Sequence, residues 1–285
     1  MKKSSRIEGC AINMHRIPSQ DIMKPDYKNW IPRGLLFTMF GGVALLFLLA
    51  VLIVWVPLSM TTTIRTVLAG ILFAASILLA VASCWMLFLY RAFSYTGKKQ
   101  IVRRIINGVA DHVHIPDGGI GLDVGCGSGA LTIACAKRNP NATMTGIDYW
   151  GKMYASFNRT LCEHNAMAEN TPNVIFRQGD ARNLDFPDET FDVVTSNYVF
   201  HDICGTDRQA LVLETLRTLK KGGSFVIHDF MPRWLYGDLD AFAEKLRGMS
   251  YRDVQIIDTA HGMFITRREA LSMFLCHSKL LTGRK

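Results

Sequence analysis

The sequence predicts an α/β fold: a doubly wound, mostly parallel sheet preceded by a transmembrane helical hairpin. Three observations predict it. Two charge-free apolar runs, Leu35 to Pro57 and Val67 to Tyr90, stand in the first third of the 285-residue chain. Strand-like and helix-like segments alternate from residue 119 onward. A loop dense in glycine, "GLDVGCGSGALT" (121–132), follows the first strand-like run.

The chain opens with a polar leader, residues 1–33, that carries seven Lys and Arg against three Asp and Glu. The two apolar runs, of 23 and 24 residues, each exceed the roughly 20 residues that cross a bilayer as a helix. Core helices of soluble domains seldom stay uncharged for so long. The apolar stretch starts too late and runs too long for a cleavable signal peptide. Only Arg65 is charged in the link between the runs, whereas Arg91, Lys98, Lys99, Arg103 and Arg104 follow the second. Basic flanks stay cytoplasmic, so both termini and the following domain are expected on that side of the membrane. The basic excess of +8 is concentrated beside the spans, where anionic lipid attracts it. Residues 105–285 hold 19 Lys and Arg against 21 Asp and Glu, which leaves no electrostatic footprint for nucleic acid. Seven cysteines without a CxxC pair suggest reduced thiols, and no cluster suggests a metal site.

Residues 91–118 read as a juxtamembrane connecting helix, closed by the Pro-Asp-Gly-Gly break at 116–119, and residues 119–285 as the α/β domain. Its expected strands are 119–124, 142–148, 173–180, 191–197 and 223–230, with helices at 128–139, 150–170, 207–219 and 239–247. "DVQIIDT" and "GMFITRR" read as two further strands joined by Ala260 and His261. So short a link permits only an antiparallel hairpin. Alternating β and α units with right-handed crossovers wind a parallel sheet, and its ligands bind beyond the carboxyl ends of the strands.

Polar residues gather at those ends. The glycine loop follows the first strand, Asp148 the second, Asp180 and Arg182 the third, Asn197, Tyr198 and His201 the fourth, and Asp229 the fifth. Gly125, Gly127 and Ala130 satisfy the dinucleotide pattern G-x-G-x-x-G/A, with Asp148 as the ribose acid. The additional acids favour a cationic ligand over a diphosphate. Unit charges ~4 Å apart at an effective dielectric of ~20 interact by ~4 kcal/mol. S-adenosylmethionine has a sulfonium, an ammonium, a ribose diol and an adenine amine, and no phosphate. Asp123 suits the ammonium end, Asp148 the diol and Asp180 the adenine amine, while Tyr149 or Trp150 can cover the ring.

"LDVGCGSG", "GID", "GDA", "FDVVTSNYVFHDI" and "LKKGG" together resemble the ordered motifs of class I S-adenosylmethionine-dependent methyltransferases. The nearest group in style is the small-molecule branch that includes ubiquinone/menaquinone-type C-methyltransferases, and the likeness covers roughly residues 100–268. The resemblance implies a seven-stranded sheet with its last strand antiparallel. It implies cofactor roles for Asp123, Gly125, Gly127, Asp148 and Asp180. Cys126, Tyr149, Ala181 and Asn197 complete the expected cofactor-binding set. His201 is the candidate general base, although a histidine at this place in the resembling family often serves in the packing around the cofactor, and Tyr198 is a second catalytic candidate in the acceptor pocket. Of the neighbours His228 and Asp229, Asp229 is expected at the site and His228 in the packing. The fourth strand lacks Asn-Pro-Pro-Tyr, so amide and nucleobase N-methylation is not implied. The two-span leader is no part of the core family, which leaves the acceptor open. The expected partners are a small acceptor, one that can partition into lipid, and the bilayer itself. Two alternatives stand beside this reading: a nicotinamide oxidoreductase and a non-catalytic cofactor-binding membrane scaffold.

Overall fold

The computed structural model describes residues 23–57, 59–151 and 156–285. The first 22 residues of the basic leader, Leu58 in the link and residues 152–155 lie outside the described residues.

Helices α1 (Arg33–Trp55) and α2 (Thr62–Ala92) form an antiparallel hairpin. Arg65 in the first turn of α2 donates from Nε to Ile53 O at 2.7 Å and also bonds Val54 O. It thereby satisfies carbonyls that the end of α1 leaves without intrahelical partners. Both helices are long and apolar enough to cross a membrane, with mean hydropathy of 2.7 and 2.5 over their best windows. Little of either is covered by the rest of the chain: Phe37, Trp55 and Leu78 are 77%, 80% and 72% exposed.

The connecting helix expected over 91–114 is split. Helix α2 takes up Arg91 and Ala92, residues 93–100 are irregular with Gln100 at φ 48°, and α3 covers only Ile101–Ala110. Ile101, Ile105 and Val109 of α3 are fully buried, so this helix belongs to the domain core.

The domain contains β1 (Ile120–Val124), α4 (Ala130–Arg138), β2 (Thr143–Asp148), α5 (Arg159–Ala168), β3 (Val174–Gln178) and β4 (Phe191–Asn197). It continues with α6 (Arg208–Arg217), β5 (Leu219–Phe230), α7 (Arg233–Tyr236), α8 (Leu239–Gly248), β6 (Arg252–Asp258), α9 (Arg267–Met273) and β7 (Ser278–Arg284). The strands form one seven-stranded sheet in the order β3-β2-β1-β4-β5-β7-β6, and β7 runs antiparallel to both neighbours. One buried cluster joins the sheet to α3, α4 and α5, and a second joins it to α6 and α8. The order reverses between β1 and β4, which sets the crevice of a doubly wound sheet there.

Two expectations from the sequence are corrected. The strand expected at "GMFITRR" does not form. Gly262 turns at φ 113°, Phe264 and Ile265 are buried in the core, and Thr266 and Glu269 close a reciprocal capping box that starts α9. The antiparallel strand is β7, which the sequence reading missed. The long helix expected at 150–170 is also shorter. Trp150 has φ 46°, and Asn158 caps α5 by accepting from Leu161 N at 2.8 Å.

Candidate active site

The carboxyl edge of β1 and β2 is assembled from backbone. Gly125 N and Cys126 N both donate to Ile147 O, at 2.8 and 2.9 Å, which folds the loop onto β2. Gly125 has φ 78°, and a Cβ there would meet Val199 Cγ2 at 2.3 Å, so only glycine fits. Gly127, at φ 56°, has room for a Cβ, which would touch only the Phe157 ring at 3.6 Å, so here the left-handed backbone is what favours glycine. Its amide donates to Asp148 Oδ2 at 2.8 Å, and Trp150 N donates to Oδ1 at 2.7 Å. Burial pushes the Asp148 carboxyl above its ordinary value, and these backbone bonds offset only part of that rise. Trp150 Nε1 and Cys162 Sγ both donate to Gly127 O, at 3.0 and 3.2 Å, and pin the loop from its other side. Cys126 is buried beside Cys162, and burial lifts its thiol far above the ordinary range.

Asp123 lies beneath the loop, 1% exposed. Thr132 Oγ1 donates to its Oδ2 at 2.6 Å and Thr195 Oγ1 to its Oδ1 at 3.0 Å. Burial raises its pKa to about 6 despite both bonds. Asp180 is partly exposed at the end of β3, after Gly179 N donates to Asp148 O at 3.0 Å. It accepts from Arg182 N and Nε, both at 2.9 Å, and this guanidinium holds its carboxyl below the usual range. The Arg182 guanidinium also stands 5.8 Å from the centre of the exposed Tyr149 ring. Ala181 is buried beside Asp180. The structure thus brings Gly125, Cys126, Gly127 and Asp148 together in one bonded unit, with Tyr149, Asp180 and Ala181 alongside.

The edge of β4 and β5 is assembled from side chains. His201 lies on a single 3-10 turn, Phe200–Asp202. Its Nδ1 contacts Asp229 Oδ1 at 2.5 Å, and its backbone N donates to Asp229 Oδ2 at 3.0 Å. Asp229 is 1% exposed and also accepts from Tyr236 OH at 2.6 Å and Phe230 N at 2.8 Å. Burial pulls the His201 imidazole down, but the bond to Asp229 and the charges of Asp229 and Asp202 outweigh it. The pKa therefore lies above the ordinary 6.5. With Nδ1–H committed to Asp229, the neutral ring carries its lone pair on Nε2, which lies 3.4 Å from Asp202 Oδ1 on a side chain still 24% exposed.

Tyr198 takes φ 53° directly after β4. Its hydroxyl is bonded to Ser278 Oγ at 2.5 Å, and its ring meets Trp30, His228 and His201 at 5.3, 4.8 and 5.9 Å between centres. Asn197 turns toward β5, with Oδ1 2.8 Å from His228 Nδ1, and His228 Nε2 lies 2.8 Å from Thr259 Oγ1. Burial lowers the His228 pKa to about 3, so this histidine stays neutral. Of the two neighbours, His228 is held between Asn197 and Thr259, and Asp229 is bonded to His201.

A third component lies outside the expectations from sequence. Residues 23–32 form a strap that lies on the domain before entering α1. Asn165, fully buried on α5, donates to Ser128 O of the glycine loop at 3.0 Å and to Asp26 O at 3.1 Å, and accepts from Asp26 N at 2.7 Å. Buried Tyr27 donates to Glu169 at 3.2 Å, and Trp30 packs on Phe93 as well as Tyr198. The only signal was aromatic: Tyr27 and Trp30 stand in a stretch otherwise rich in polar residues.

Residues 122–227 match a family profile described as a methyltransferase domain. This stretch is an S-adenosylmethionine-dependent methyltransferase domain. The chain is 31% identical over 146 residues to malonyl-[acyl-carrier protein] O-methyltransferase of Halalkalibacterium halodurans, covering 50% of this chain and 48% of that one. It is 33% identical over 107 residues to demethylmenaquinone methyltransferase of Lactobacillus johnsonii, covering 37% and 41%. The chain thus spans about half or less of the length of these curated relatives. A crystal structure of an S-adenosylmethionine-dependent methyltransferase from Aquifex aeolicus superposes with a TM-score of 0.45 at 14% identity, covering 63% of this chain and 90% of that one.

The residues of the methyltransferase domain fit that cofactor. Gly127 presents backbone without a side chain, and the half-buried Asp148 offers carboxylate oxygens of the kind a ribose diol donates to.

Proposed function

We propose that the chain is a membrane-anchored methyltransferase that acts at the cytoplasmic face on a small lipophilic acceptor. One observation carries this reading: Tyr198 is held from two sides, and both sides are fastened to the end of α2. On one side Trp30 packs against it, and Asn29 next to Trp30 donates to Tyr90 O at 2.7 Å. On the other side Ser278 bonds its hydroxyl, a few residues after Phe274 and Ser272. These two meet Trp85 through a 5.2 Å ring contact and a 3.1 Å bond from Trp85 Nε1. The pocket edge therefore faces the end of the apolar hairpin. Trp234, Leu271 and Phe274, 75%, 58% and 70% exposed, add an apolar rim beside Arg233, Arg267 and Arg268. A rim of that composition suits the headgroup region of a bilayer. An acceptor dissolved in lipid reaches this edge without crossing water, and the demethylmenaquinone of one relative's name is such a compound. The basic residues after α2 support a cytoplasmic orientation.

When bound, the cofactor supplies an electrophilic methyl group. Gly127, Asp148, Tyr149 and Asp180 hold it, and Asp123 supports the loop through Thr132 and Thr195. The carboxylate of Asp229 fixes the His201 ring, and His201 Nε2 takes the proton released as an O–H, N–H or acidic C–H acceptor becomes a nucleophile. Position and proton removal are the chain's contribution, and positioning alone reaches ~7–11 kcal/mol in well-oriented reactions. The test is to incubate the full chain in lipid nanodiscs with methyl-labelled S-adenosylmethionine and a membrane lipid extract. Label should enter the organic-soluble fraction and depend on His201. Label confined to water-soluble products would overturn the lipophilic acceptor, and no transfer to any extract would overturn the activity.

A further inference from the structure

A second cleft lies outside the methyltransferase site, between the strap, the end of α2, α3 and α4. Its volume is about 800 Å³, within the ~300–1,000 Å³ of small-molecule pockets. Five cations line it, Lys28, Arg33, Arg103, Lys137 and Arg138, against the two acids Asp26 and Glu169. Lys28 pairs with Asp26, Lys137 with Glu169 and Arg138 with Asp111 outside the cleft. Arg33 donates to the Tyr90 hydroxyl at 2.7 Å, a neutral partner. Arg103 has no ion pair among the described residues, and its positive charge lowers the pKa of the Tyr27 and Tyr95 hydroxyls against the burial that raises them. An excess of positive charge is thus held in a concave space, with Arg33 and Arg103 outside any ion pair among the described residues.

The place of the cleft beside the ends of α1 and α2 bears on its ligand. Arg33 is the first residue of α1 and Tyr90 lies in the last turn of α2. If the hairpin spans the bilayer, as the proposed function holds and on which this inference rests, the cleft opens at the level of the inner-leaflet phosphates. Basic pockets at that level take anionic headgroups. We propose that this cleft binds the phosphate of an anionic phospholipid headgroup. One wall of the cleft is the strap, from Pro25 to Arg33. The same strap reaches the glycine loop through Asp26, Asn165 and Ser128, and the acceptor edge through Trp30 and Tyr198. A headgroup in the cleft therefore braces both halves of the catalytic edge, and the chain in a neutral membrane lacks that brace.

The test uses the full chain in neutral detergent and follows its thermal unfolding midpoint as short-chain phosphatidylglycerol is added. Short-chain phosphatidylcholine and inorganic phosphate serve as separate arms. Phosphatidylglycerol should raise the midpoint saturably, phosphatidylcholine should not, and inorganic phosphate at equal concentration should do little. Arg103→Ala should weaken the half-saturating concentration about fivefold, with the midpoint in the absence of lipid unchanged, since Arg103 is exposed. Lys245→Ala, on α8, should leave the response intact. Equal shifts from phosphatidylcholine, a full shift from phosphate alone, or an unaltered response in Arg103→Ala would each overturn the proposal. No methyl transfer is read in this experiment, so failure of the proposed activity and failure of the headgroup site are separately visible.

Discussion

The two halves of the catalytic edge solve different problems with different material. At the ends of β1 and β2 the parts are backbone amides and one carboxylate, joined over short chain distances: Gly127 and Asp148 are 21 residues apart. At the ends of β4 and β5 the parts are side chains joined over longer ones: His201 to Asp229 over 28 residues and Tyr198 to Ser278 over 80. Backbone recognition suits a ligand whose shape is fixed. Side-chain recognition suits an acceptor that differs from one enzyme to the next, because side chains change without altering the sheet.

The comparison yields predictions in which the two halves fail in different ways. The largest effect belongs to the acceptor half. His201→Ala should lower kcat by roughly 10²–10⁴-fold while calorimetry shows S-adenosylmethionine affinity unchanged. A parallel loss of affinity would erase the division between the halves. In the cofactor half, Asp148→Ala removes the shared partner of Gly127 N and Trp150 N. Affinity for S-adenosylmethionine should fall about 10–100-fold, read by the same titration.

A smaller effect separates position from chemistry within the acceptor half. His201 acts as a base only when neutral, and its pKa is raised, so kcat/KM should climb with pH through a value above 6.5. Asp229→Asn removes the charge that raises it and leaves the burial that lowers it. The rising limb should move to lower pH while the plateau drops. An unmoved limb would mean that another group titrates. The linked stability has the matching sign: the raised His201 pKa stabilises the fold below the unfolded value and loses that contribution as pH rises through the folded one.

The smallest effect is at Tyr198. Tyr198→Phe loses the bond to Ser278 and should cost about 1 kcal/mol of stability, seen as a lowered unfolding midpoint, with kcat little changed. A collapse of kcat as large as that of His201→Ala would make the hydroxyl itself catalytic.

The same division explains what was legible in the sequence. Strand β4 was read at its observed bounds, Phe191–Asn197, because an apolar run flanked by turn residues is a local signal. The glycine loop and Asp148 were legible because their chemistry sits in one motif. The Asp229 carboxylate was placed at the site by alternation along β5, but its bond to His201 was not, because nothing local encodes a contact across 28 residues. Strand β7 was missed for a related reason. "SKLLTGR" has little apolar alternation of its own and is stabilised by pairing with β5 and β6 on either side. "GMFITRR" was misread although Thr266 and Glu269 already spelled a capping box, a helix-start signal that the apolar run Met263 to Ile265 overshadowed. The strap was invisible because Asn165 and Asp26 meet across 139 residues.

The central claim is that Gly127 and Asp148 build a site for a cationic methyl donor. Isothermal titration of the purified full chain in detergent, with S-adenosylmethionine and NADH in parallel, tests it most directly. Saturable binding of S-adenosylmethionine that weakens in Asp148→Ala, with no heat from NADH, is the result predicted. Saturable binding of NADH with none of S-adenosylmethionine would contradict it.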